Sequence, residues 1–220
     1  MKLKYLPLIG VVLMAACSAA SADDAYTVTV PMPPKANGQQ AFLVNYDNGD
    51  KIDSVKVESG KAVFKGAVAA PVMARIMVGG DRFGSLILEN APIVVNRGGA
   101  VDGGKLNAEL ANCMRGIQAL QAEAAKLPQD STFEQRMAPI KARYDAYMDS
   151  VITANVENPI GYLFFVEEAY GLDLPTLRQQ LDRRPQMKRY ARTTKLLQAL
   201  EQKQKTMPGN KFIDFEVKND

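Results

Sequence analysis

The sequence predicts an α+β protein: an N-terminal antiparallel β-sandwich or open barrel followed by an all-helical segment. Two observations carry this. From Tyr26 to Asn96, short runs of β-branched and aromatic residues recur at turn spacing, with no helical period between them. From Lys105 onward the apolar residues step by threes and fours instead. The organisation that follows is a leader (1–22), a β domain (23–104), a helical domain or linker (105–207) and a short C-terminal stretch (208–220).

The leader comes first. "MKLKYLPLIGVVLMAACSAASADD" has a basic start at Lys2 and Lys4, an apolar run from Tyr5 to Ala16, and then small residues. That is a secretory signal, too short to span a membrane. Two processing sites compete within it. "LMAAC" resembles a bacterial lipobox, in which Cys17 becomes the lipidated first residue of the mature chain. Met14 stands where such boxes often carry Leu. "ASA", Ala20 to Ala22, is an acceptable small-x-small site for a soluble periplasmic product. Either route takes the chain out of the cytoplasm, and acylation of Cys17 would hold it on a membrane without a spanning helix.

The strands follow. "YTVTV" and "AFLVNY" are β-rich, and Asn48-Gly49 within "DNGD" is a strong short hairpin signal. "KIDSVKV" passes through the "ESGK" turn into "AVFKG". Beyond Pro71 come "VMARIMV", a turn at Gly79 to Asp81, "FGSLILE" and "IVVN", about seven strands in all.

In the second half, Leu106, Leu110, Cys113, Ile117, Leu120, Ala124 and Leu127 share one helical face, and Pro128 ends that helix. Ser131 with Glu134 is a capping-box pattern opening a second helix, which Pro139 should kink or split. Asn158-Pro159 reads as the cap and first residue of a third helix. A short fourth runs from Leu174 to Leu181, and Pro185 opens a fifth that reaches about Lys205.

Composition excludes much chemistry. There is no histidine, so Ser-His-Asp and Cys-His catalysis cannot be built from this chain. Cys17 and Cys113 are the two cysteines, and no CxxC occurs, which leaves neither a dithiol redox centre nor a cysteine zinc site. The sequence thus points to no catalytic residue, no cofactor and no metal. Of 27 Lys and Arg, two lie in the leader, which leaves 25 against 24 acidic residues. A near-neutral chain makes no electrostatic case for nucleic acid.

Four features invite a functional reading, each beside a plainer one. "GAVDGGKL", Gly99 to Leu106, satisfies G-x-x-x-x-G-K, but Leu106 replaces the magnesium-binding hydroxyl and Asp102 would repel a phosphate. A glycine-rich crossover into the first helix explains it more simply. Cys113, on the apolar face of the first helix, reads as a buried inert thiol, with an interchain or mixed disulfide as the alternative in an oxidising compartment. Nine basic residues between Arg178 and Lys205 face only Asp182 and Glu201. A solvated face is the ordinary explanation, and docking on an acidic protein partner or anionic lipid the sharper one. Glu167-Glu168, adjacent on a helix, point about 100° apart and cannot form an acid/base pair alone.

"GDKIDSVKVESGKAVFKG" resembles the signature of the domain-of-unknown-function 4369 family at Ile52, Asp53, Ser54, Gly60, Lys61, Phe64, Gly66 and Pro71. "LILENAPIVV" (Leu86 to Val95) is similar to that family's later strand pair, and "VDGGKLNAEL" to its exit into helix. Ala62 stands where an aromatic is common, and Gly104 where Ser is. The resemblance covers roughly Tyr26 to Leu110. It implies a β domain of the kind that precedes a thioredoxin-like, thiol-disulfide interchange domain on envelope lipoproteins. "PGNKFIDFEV" is similar to the opening of that thioredoxin-like domain at Phe212, Asp214 and Phe215, as though the tail began a domain the chain does not contain. No catalytic residue carries over, because no matching position is present.

The expectation is a non-catalytic lipoprotein of a Gram-negative cell envelope, on the outer membrane or facing the periplasm. Its membrane anchor would be at Cys17 and a protein partner at the basic stretch Arg178–Lys205. The alternative is the N-terminal part of a thiol-disulfide oxidoreductase whose catalytic domain is absent from this chain.

Overall fold

The computed structural model describes residues 24–206. The leader with Cys17, and the stretch 208–220, lie outside the described residues.

Alternation of apolar and polar residues builds the strands. In β1 (Tyr26–Pro31) Tyr26, Val28 and Val30 are buried while Thr27 and Thr29 face outward in part. β2 (Gln40–Asn45) and β3 (Lys51–Lys56) form the hairpin that Asn48-Gly49 predicts. β4 (Lys61–Gly66) follows β3 through a tight turn in which Ser59 and Gly60 both have positive φ, at 50° and 73°. Glu58 and Lys61 bridge across that turn, while β3 and β4 themselves pair into different sheets. β5 (Val72–Val78), β6 (Asp81–Leu88), β7 (Pro92–Val95) and the two-residue β8 (Val101–Asp102) complete the set.

The strands make two four-stranded sheets, ordered β4-β1-β7-β8 and β3-β2-β5-β6. Val28, Val30, Leu43, Phe64, Ile76, Leu86, Leu88 and Ile93 fill the space between them. The sandwich is not wholly antiparallel. Three residues, Glu89 to Ala91, carry the chain from β6 across to the other sheet, and β7 enters parallel to β1, with Thr27 opposite Pro92.

The helices pack as a third layer on the outer face of the β5–β6 pair, where Met73 and Ile87 join the second core. α1 (Lys105–Ala124) buries Cys113 and Ile117 as its period predicts. α2 (Phe133–Ala154) is not split, and its start differs from expectation. It is one helix through Pro139, because Pro139 and Gln135 both face solvent and water can take the carbonyl that proline leaves unpaired. Its start is not a Ser131–Glu134 box: the Asp130 carboxylate accepts from the backbone N–H and hydroxyl of Thr132 instead.

α3 (Pro159–Ala169) begins as expected, with the Asn158 side chain accepting from Ile160 N at 2.9 Å. It is buried on almost every side and forms the centre of the helical layer. α4 (Leu174–Arg183) is capped by Asp173. The fifth helix does not start at Pro185. Pro185–Arg189 is a short 3₁₀ segment, Tyr190 is extended, and α5 runs over Ala191–Lys205. The basic stretch Arg178–Lys205 is therefore three pieces: the end of α4, the 3₁₀ segment and α5.

Candidate functional site

The densest gathering of polar and aromatic side chains lies where the β2–β3 loop meets the helices. Asp47, in that loop, accepts from Ala191 N at 2.8 Å and from Arg192 N at 2.9 Å, so a carboxylate from the β domain caps α5. It also accepts from the Tyr162 hydroxyl on α3 at 2.7 Å. This is why the helix breaks at Tyr190: the cap restarts it at Ala191, and the Tyr190 ring stacks on Tyr162 with centroids 3.8 Å apart.

Tyr46 sits beside this cap. Its hydroxyl donates to Glu167 at 3.0 Å, and its carbonyl accepts from Arg192 Nε at 2.6 Å. The guanidinium groups of Arg75 and Arg192 each lie 4.5 Å from its ring centre. Tyr162 meets the same ring edge-on at 6.0 Å. Burial pushes the Tyr46 phenol up, helped by Glu167, and pushes Tyr162 up further, helped by its bond to Asp47. Both stay protonated donors through the physiological range. They hold the joint and cannot serve as bases there.

A second carboxylate makes a second joint. Glu89, between β6 and β7, accepts from Leu106 N at 2.9 Å and Asn107 N at 3.3 Å, at the start of α1. The start of the glycine-rich "GAVDGGKL" helix is thus filled by the chain's own anion. Gly103 and Gly104 have φ near 87° and 80°, and a Cβ at Gly103 would lie 2.0 Å from the Pro92 carbonyl oxygen. Asn107 is buried and imitates a strand neighbour. It accepts from Ile87 N at 2.9 Å and donates to Ile87 O at 2.7 Å, closing the edge of β6.

The other residues singled out in the sequence are dispersed. Cys113 is buried and free, its thiol pushed up by burial and then by Glu109, and its carbonyl accepts from the Tyr147 hydroxyl at 3.2 Å. Glu167 and Glu168 diverge: the first accepts from Tyr46, while partial desolvation shifts the second, though exposed, upward despite nearby Arg184. Much of the basic stretch is neutralised from within. Arg178 pairs with Glu201, Arg183 and Arg184 with Asp149, Lys188 with Asp182, and Arg189 with Glu157. Arg184 is only 5% exposed, and its ion pair with Asp149 makes it an internal strut rather than a docking group.

Among the described residues, no three Cys, Asp or Glu side chains gather where they could hold a metal ion, and no helix is long and apolar enough to cross a membrane. Nothing local in the sequence singles out Asp47, Tyr46, Tyr162, Glu89 and Asn107. Asp47 reads only as one residue of a turn, and its partners lie 115 to 145 positions away.

Residues 26–110 match the family model described as a domain of unknown function, DUF4369. The chain carries a DUF4369 domain. The match begins at the first residue of β1 and ends in the second turn of α1. The DUF4369 domain therefore includes the whole sandwich together with the Glu89 and Asn107 joint, and its hairpin loop supplies Asp47. No curated protein matches the chain.

Proposed function

We propose that this chain is a non-catalytic lipoprotein of the cell envelope, in which the DUF4369 domain and the helices form a binding and positioning module. One observation carries the reading: the carboxylates at the candidate site, Asp47 and Glu89, are occupied by helix N–H groups and hold the architecture together. No base stands beside a nucleophile there, since the tyrosines keep their protons and Asp47 already accepts three hydrogen bonds. The lipobox-like "LMAAC" supports an anchor at Cys17.

A second reading, the front part of a thiol-disulfide oxidoreductase, is favoured by the resemblance of Phe212, Asp214 and Phe215 to the start of a thioredoxin-like domain. Insulin reduction by the purified protein with excess dithiol tests the non-catalytic reading. No rate above the uncatalysed background is expected, and turnover would refute the non-catalytic reading. In the same experiment series, Cys17→Ala should move the protein from the membrane fraction to the soluble fraction. Retention on the membrane would refute the anchor.

A further inference from the structure

The positive charge that the basic stretch leaves unpaired is concentrated on one helix. Arg178, Arg183, Arg184, Lys188 and Arg189 each have a carboxylate partner. Among the described residues, Arg192, Lys195, Lys203 and Lys205, all on α5, have none within ion-pair distance. Arg192 and Lys195 open into the same groove, of about 360 Å³, with Leu196 and Ala199 from the next turns of α5. The opposite wall is the Asn48-Gly49 tip of the β2–β3 hairpin, and Tyr170, 54% exposed, borders the groove. The one carboxylate in the wall, Asp47, already accepts from two backbone N–H groups and the Tyr162 hydroxyl. What remains is a cationic cleft with an aromatic and aliphatic lining.

We propose that this groove docks an acidic segment of a partner protein, placing a carboxylate against Arg192 and Lys195 and an apolar side chain against Tyr170 and Leu196. Charge complementarity selects the acid, and the exposed ring beside two cations selects an apolar residue next to it. A cleft walled by a hairpin tip suits a chain segment better than the flat surface of a bilayer. The proposal rests on the reading of the protein as a binding module and names the chemistry of its partner.

The probe is a fluorescein-labelled peptide of alternating Glu and Phe, titrated with the full chain and followed by anisotropy. Saturable binding is expected. It should weaken about tenfold with Lys195→Glu and with Tyr170→Ala, and should weaken again as salt is raised. Both side chains are exposed, so the thermal midpoints of the variants should stay at the wild-type value. Lys65→Glu, an exposed charge reversal on β4, should leave binding unchanged. Three results would overturn the proposal: no saturable binding, an equal loss with Lys65→Glu, or Lys195- and Tyr170-dependent binding to phosphatidylglycerol vesicles without peptide binding. Insulin turnover, by contrast, would overturn the non-catalytic reading whatever the peptide does.

Discussion

Asp47 shows how much one side chain can hold. It satisfies two N–H groups at the start of α5 and the buried Tyr162 hydroxyl, groups that would otherwise be left unpaired at the joint. Asp47→Ala should cost roughly 2–3 kcal/mol, combining a lost helix cap with an orphaned hydroxyl. Thermal denaturation followed by circular dichroism should register a midpoint lower by about 4–12 °C for a chain of this length. Tyr26 gives the residue scale a pH dependence. Burial, then Asp53, pushes its phenol up to about 12 from 10.0. The folded state thus holds this proton more tightly than the unfolded state does. Its contribution is complete below pH 10.0 and is lost as the pH rises from there to about 12. Urea midpoints should fall across that interval, and Tyr26→Phe should make the fall shallower. None of this was legible in the sequence. Asp47 and Tyr162 look like ordinary turn and helix residues until the fold brings them within hydrogen-bond distance.

At the scale of the elements, the sequence was more informative. Periodicity located the strands and helices, and Asn158-Pro159 marked the start of α3 correctly, because a cap and its proline are local signals. Elsewhere the local signals misled, through a competing local contact in one case and a tertiary one in another. Ser131 and Glu134 have the spacing of a capping box, yet Asp130 takes the Thr132 N–H. Pro185 has the look of a helix start, yet α5 begins where Asp47 caps it. Pro139 was expected to kink or split α2; the helix is not split, and Pro139 lies on its exposed side while the other face is held against α1 and α3. The helix tolerates the proline at a cost, so Pro139→Ala should stabilise the protein, by about 1–3 kcal/mol. A rise in the chemical denaturation midpoint at unchanged slope is the expected reading, and a fall would mean that the proline fits the helix better than alanine does.

For the molecule as a whole, composition and period gave the α+β class, while the layering came from the structure. The sheet face that meets the helices needs apolar residues on both sides of β5 and β6, and Met73 and Ile87 supply them. In the sequence these two are merely interruptions of strict alternation. The parallel β1–β7 pair was equally hidden, since it depends on the direction in which a three-residue crossover delivers the chain. The DUF4369 domain and the helices, joined at Asp47 and Glu89 and sharing one hydrophobic layer, are expected to open as one unit. The most direct test is segment-resolved amide hydrogen exchange of the full chain across a denaturant series below the unfolding midpoint. In the wild type β2 and α3 should exchange through the same opening free energy, and Asp47→Ala should lower both together. Loss of protection in α3 at denaturant concentrations where β2 remains fully protected would contradict opening as one unit.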